Sequence, residues 1–234
     1  MDLVYKIREE LKNSIDEKVR IGYKRFFKEN VEFYGIKTPI VIKTARRFYP
    51  EIKAKSKHDI FSLCDELFKS GYCEEAFVAC DWSFTRKNEF EKSDFQIFES
   101  WIKQYVTNWA VCDTFCTHTM GYFIEKYPEF INELKKWAIS ENMWARRASV
   151  VSMIVSARKG KFIEDVFNIS DILMKDSEDL VQKGYGWILK EASKARQKDV
   201  YDYVLFHKKE MTRTALRYAI EKMPKEMKKV AMEK

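Results

Sequence analysis

Along most of the chain, apolar residues recur at steps of three and four, the spacing that lines one face of an α-helix. Leu3, Ile7, Leu11 and Ile15 form the first such stripe. Asp16 or Ser14 can cap a second helix, whose apolar positions include Val19, Tyr23, Phe26 and Phe27. In FYGIKTPIVIKT, Gly35 is expected to end a helix and Thr38 to cap the next, with Pro39 in its first turn. Helical stretches of about 10–18 residues then alternate with short polar breaks. These breaks fall near 55–57, 70–71, 87–88, 127–128, 140–142, 159–161, 175–177 and 197–198. No linker rich in Gly, Pro or Ser interrupts the pattern, so it predicts an all-α fold in one continuous domain over 1–234.

The helices also repeat in register. ENMWARRASVVSMI, SEDLVQKGYGWILKEA and KEMTRTALRYAIEKM each open on polar residues and then place a small residue after a basic or polar one: Arg147-Ala148, Lys183-Gly184 and Thr214-Ala215. The interval lies inside the range of about 20–50 residues that marks stacked repeats, where a small residue lets neighbouring helices approach. A similar step backwards from Arg147 lands on Asp113. The expected architecture is an α-α superhelix, with Asp113, Arg147 and Lys183 at equivalent places on successive second helices.

Composition narrows the picture. Only 7 glycines and 4 prolines occur in 234 residues, which disfavours folds built on glycine-rich loops. No GxGxxG or GxxxxGK[ST] is present, so the usual dinucleotide and triphosphate cradles are excluded. Five cysteines without framework spacing suit a reducing cytoplasm, and no apolar run approaches a membrane span. Cys112, Cys116 and His118 lack a fourth ligand at metal-site spacing, so a buried structural role is expected for the thiols. The net charge is +7, and from 205 to 234 nine Lys and Arg stand against four Glu, as in a polyanion binder or a basic tail.

Two helix faces do not fit a plain core-and-surface division. In NWAVCDTF, Trp109 and Asp113 lie one turn apart on one face, too charged for a core and too apolar for solvent. In DLVQKGYGWILKEASK, Val181, Gly184, Ile188 and Ala192 form an inward stripe, whereas Trp187 falls among Lys183, Lys190 and Lys194. A helix buried on two sides, with lysines reaching outward, would explain the second face equally well. Cations beside indoles suit nucleic acid, and a carboxylate there can stabilise a developing positive charge or hold a water. Lys159, Lys161, Arg213 and Arg217 read mainly as solvated.

With these motifs in order, the chain resembles the HEAT-like-repeat DNA alkylation repair glycosylases that remove N3- and N7-alkylated purines. The resemblance rests on FYGIKTP, on WxxxD at Trp109–Asp113, on NMWARRA at Asn142–Ala148 and on QKGYGWILKEASK at Gln182–Lys194. It implies a superhelix of helix pairs around duplex DNA carrying alkylated purines, a monomer, and no metal or cofactor. It further implies a catalytic cleft of Asp113, Trp109 and Trp187. Asp113 would stabilise the oxocarbenium-like sugar and position water, while the two indoles pack on the deoxyribose. Arg147 would contact the DNA backbone, with Lys183, Lys190, Arg146 and Phe26 also facing DNA. Arg146 and Arg147 are one helical step apart, so only one can point into the cleft, and the resemblance selects Arg147. Base flipping, the common glycosylase strategy, is not required. Where relatives often carry Tyr, this chain has Phe26, which removes a hydroxyl contact. The alternative is a HEAT-like module that binds DNA structures or a protein without excising bases.

Overall fold

The computed structural model describes residues 2–233, which fold into α-helices joined by short turns with no named β-strand. They form two compact units, divided between Phe115 and Cys116, each with its own core.

In the first unit the helices are α1 (Leu3–Lys12), α2 (Glu17–Phe26), α3 (Thr38–Arg47), α4 (Tyr49–Lys53), α5 (Lys57–Lys69), α6 (Cys73–Phe84), α7 (Asp94–Tyr105) and α8 (Trp109–Phe115). α3, α6 and α8 pack in sequence, and α1, α5 and α7 lie alongside as a second layer. Between the layers Ile7, Val41, Ile60, Trp82, Phe98 and Trp101 are fully buried. The buried indoles keep hydrogen-bond partners, as burial of an N–H demands. Trp82 donates to the Ala45 carbonyl at 3.1 Å and Trp101 to Asp65 at 3.1 Å. Local signals set the ends: Asp16 caps α2, and Ser56 forms a capping box with Asp59 at α5.

The second unit contains α9 (Gly121–Lys126), α10 (Ile131–Ala138), α11 (Met143–Val151), α12 (Ile154–Arg158), α13 (Ile163–Leu173), α14 (Asp179–Ala192), α15 (Gln197–His207), α16 (Arg213–Ala219) and α17 (Lys225–Met232). A π-helical turn, Cys116–Met120, precedes α9. α10 and α13 form one layer, and α11, α14 and α16 pack successively in the other. This is the stacking of helix pairs that the repeated small residues predict. Ala148, Gly184 and Ala215 are all buried at these contacts.

Several local expectations change. The second helix ends at Phe26, so Gly35 does not end a helix but sits in the following loop with φ +94°. A Cβ there would lie 2.5 Å from Arg20 Cβ, which is why glycine is required. Thr38 is the first helical residue of α3 and Lys37 the cap position, whereas Pro39 is in the first turn as expected. α2 buries none of its residues, and Ile21 and Phe26 on it are exposed. The break expected at 197–198 lies at 193–196, ahead of α15. Further breaks at 106–108, 152–153 and 208–212 carry no Gly or Pro to mark them.

Candidate functional site

The first part of the candidate site is built by α8. Asn108 is buried and caps this helix, its Oδ1 accepting the Val111 N–H at 3.0 Å. The cap fixes Trp109 at the first helical position and Asp113 one turn later. Val111, Cys112 and Phe115 turn into the core, while Trp109, Ala110 and Asp113 remain half-buried on the other side. Trp109 is not alone. Phe27 stacks on it at 5.3 Å and 13°, and Phe26 meets it edge-on at 5.8 Å. Phe33 backs Phe27 at 5.0 Å, and Tyr23 backs Phe33 at 5.2 Å. Each ring pair is worth about 0.5–1.5 kcal/mol beyond burial, so the cluster holds the indole in place. Phe26 itself is 67% exposed and forms the open edge of this aromatic wall.

A buried carboxylate holds the loop that carries this wall. Glu74, at the start of α6, accepts backbone N–H groups from Tyr34 at 3.1 Å, Gly35 at 2.9 Å and Ile36 at 3.0 Å. Next to it, Glu75 accepts the Tyr34 hydroxyl at 2.6 Å and the Arg8 guanidinium at 3.0 Å. Burial, followed by the Glu75 hydrogen bond, pushes the Tyr34 phenol up, so it stays a neutral donor. These charges are therefore satisfied structural groups.

The second unit holds the basic residues. Asn142 caps α11 through the Trp144 N–H at 2.8 Å. Arg147 on this helix is only 5% exposed, and its Nη1 donates to the Leu180 carbonyl at the start of α14. Gly184 lies beside it: a Cβ there would be in ordinary contact with Arg147 Nη1, at 3.7 Å. Arg146 is spent inside the fold. Its Nε reaches Asp176 at 2.6 Å, and Nη1 donates to the carbonyls of Ser140 and Glu141 at 2.9 Å.

On α14, Val181, Gly184, Ile188 and Ala192 are buried as the periodicity predicts, and Trp187 is half-buried. Lys183 pairs with Asp179 at 2.6 Å, a hydrogen bond that raises its pKa, and Arg147 and Tyr218 also act on its charge. Lys190 pairs with Glu221 at 3.0 Å and lies 5.6 Å from the centre of the Tyr218 ring. Lys159 and Lys161 both bind Glu125, at 3.0 and 2.7 Å. Ion pairs as exposed as Lys183–Asp179 are weak, so phosphate can displace them.

Phe26, Trp109 and Asp113 thus belong to the first unit, and Arg146, Arg147, Lys183, Trp187 and Lys190 to the second. The sequence pattern of the DNA alkylation repair enzyme family matches residues 7–223. The chain belongs to that family. A solved structure of a predicted DNA alkylation repair enzyme from Enterococcus faecalis is similar in fold, with a TM-score of 0.80 at 17% identity. The likeness covers 91% of this chain and 98% of that one. No curated protein matches the chain. Membership makes DNA alkylation repair the role of the protein, and no helix among the described residues is long and apolar enough to cross a membrane.

Sequence reasoning singled out one residue, Phe26, of those that hold the indole. Phe27 was assigned to the apolar face of α2, and its contact with Trp109 has no local signal. Glu74 and Tyr218 were missed for the same reason: each acts on a partner remote in sequence or outside the quoted motifs.

Proposed function

We propose that the protein is a monofunctional DNA glycosylase that hydrolyses the N-glycosidic bond of cationic N3- and N7-alkylated purines in duplex DNA. The observation that carries this reading is the shared half-buried face of Trp109 and Asp113 on a capped helix, walled by Phe26 and Phe27. A carboxylate partly withdrawn from water acts more strongly on a nearby developing charge than one in bulk solvent.

In the proposed reaction the bond between C1′ and the base nitrogen breaks, and its electrons neutralise the alkylated base. The sugar becomes oxocarbenium-like, and Asp113 stabilises it. Water then adds at C1′, its proton passes to solvent, and an abasic site remains. The leaving base is already cationic, so no acid need protonate it and one carboxylate suffices; O-glycosidases need two. Trp109 offers an indole face to the cationic sugar, and Trp187 is assigned the same role. No metal or cofactor takes part.

Arg147, Lys183 and Lys190 are assigned to the DNA backbone, with Phe26 at the open edge of the wall. Arg146 is left out of the contact set, because its donors already serve Asp176 and two carbonyls; Arg147, 5% exposed and bonded to the Leu180 carbonyl, keeps its assignment from the NMWARRA motif and reaches a phosphate only by giving up that bond. The family match spans both units, which supports reading 1–234 as one domain. A monomer acting in the cytoplasm completes the proposal.

Duplex DNA carrying 7-methylguanine tests it. Release of free 7-methylguanine, with an abasic site left in the strand, is the expected result. Tight, salt-sensitive DNA binding with no release at high protein concentration would instead establish a DNA-binding module without catalysis.

A further inference from the structure

One cavity of the first unit is lined by residues other than Trp109 and Asp113. It has a volume of about 800 Å³ and opens between the end of α3, α4 and the end of α6. Small-molecule sites occupy about 300–1,000 Å³. Its apolar floor includes Tyr49, Ile52 and Phe84, and its rim carries Arg46, Lys53 and Lys87. Lys87 Nζ lies 4.5 Å from the centre of the Phe84 ring, so an ammonium stands beside an aromatic surface.

The walls are fixed from within the unit. Arg86 Nη2 donates to the carbonyls of Ile52 and Lys55, each at 2.7 Å, pinning the end of α4 to the segment after α6. Arg86 Nε is a buried donor with no acceptor among the described residues. The Tyr49 hydroxyl donates to Asp81 at 2.7 Å, and burial, then that bond, pushes its pKa up to about 12. Tyr49 therefore stays neutral; Asp81 accepts its hydroxyl and also pairs with Arg46 at 3.7 Å, and four cations line the cavity against this one carboxylate. A second cavity of about 520 Å³ shares Arg46 and adds Lys43, extending the basic rim.

We propose that this cavity binds a nucleotide, with the base on the Phe84 and Ile52 floor and the phosphate at the Arg46, Lys53 and Lys87 rim. Charge complementarity requires an anion, and the apolar floor requires that the anion carry a flat apolar body. Stacking platforms edged by cations are how proteins hold single nucleotides of an unpaired strand. The same chemistry is offered by a free mononucleotide. The proposal rests on the cavity alone and is independent of Asp113.

The test uses the full chain and titration calorimetry with dGMP, deoxyguanosine, inorganic phosphate, decanoate and a five-nucleotide single-stranded DNA. Saturable dGMP binding is expected, at least about tenfold tighter than deoxyguanosine or phosphate. The K53E/K87E double variant changes two surface lysines and is expected to weaken dGMP about tenfold with its melting temperature unchanged. Phe84→Leu keeps apolar volume but removes the flat ring, and should weaken dGMP while leaving phosphate unaffected. If the oligonucleotide binds more tightly than dGMP, the nucleotide belongs to a DNA strand; if more weakly, to the free pool. No saturable dGMP binding, competition by phosphate as effective as by dGMP, stronger binding of decanoate, or indifference to K53E/K87E would overturn the proposal.

Discussion

Replacing Gly186 with alanine is expected to destabilise the second unit, whereas the same change two residues earlier is expected to be nearly neutral. Both glycines lie inside α14, where alanine gains up to about 1 kcal/mol of helix propensity. Their surroundings differ. A Cβ on Gly184 would meet one Val150 methyl at 3.2 Å, which side-chain adjustment by a few tenths of an ångström relieves. A Cβ on Gly186 would meet Tyr218 Cβ at 2.6 Å, the Ala215 carbonyl at 2.7 Å and Ala215 Cα at 3.0 Å. Two of those atoms are backbone, so α14 and α16 must part by most of an ångström. Overpacking of this kind costs about 1–3 kcal/mol, and rigid backbone puts it at the top of that range. The net loss is then about 2 kcal/mol, or roughly 4–8 °C in melting temperature for a chain of this size. Calorimetry of Gly184→Ala and Gly186→Ala measures the contrast. Equal melting temperatures, or a Gly186→Ala protein more stable than wild type, would refute the packing argument.

Three further outcomes follow from the same geometry. Asn108→Ala removes the cap of α8 and is expected to cost about 1 kcal/mol, read by thermal melting; base release should fall as well, since the cap fixes Trp109 and Asp113. Lys190→Gln should reduce the slope of log affinity for duplex DNA against log salt by about 1, measured by fluorescence anisotropy, if Lys190 exchanges Glu221 for a phosphate. The hydrogen bond from Lys161, then that from Lys159, holds the Glu125 carboxyl below its usual range. A depressed carboxylate stabilises the fold above its unfolded pKa, and the contribution disappears as pH falls through the folded one. Glu125→Gln should therefore lower stability by about 1 kcal/mol near pH 7, a difference that closes on acidification below about pH 4.

The elements that sequence pattern revealed are those whose signal is local. The period of three and four gave the helices, and the spaced small residues Ala148, Gly184 and Ala215 gave the stacking of α11, α14 and α16. The mismatch of Trp109 and Asp113 on one face became a half-buried face walled by rings. Trp187 likewise lies half-buried beside the inward stripe of α14.

What pattern could not show were partners brought close only by folding. Phe27 has no local reason to stack on Trp109, and Glu74 none to collect the N–H groups of Tyr34, Gly35 and Ile36. Gly35 looked like a helix end because glycine commonly serves there, yet its φ of +94° serves a loop packed against Arg20. Arg146 looked available for phosphate because Asp176, its partner, lies beyond α12 and α13 in sequence. Gly186 attracted no notice beside Gly184, although it makes the closer approach.

The central claim is that Asp113 acts on the sugar of an alkylated nucleotide. Its most direct test is single-turnover release of 7-methylguanine from duplex DNA by wild type and Asp113→Asn. The isosteric amide keeps shape and removes charge. The account predicts a rate reduced by about 100-fold or more, with DNA affinity unchanged or slightly tighter, because a carboxylate no longer repels phosphate. An Asp113→Asn protein that releases the base as fast as wild type would contradict it.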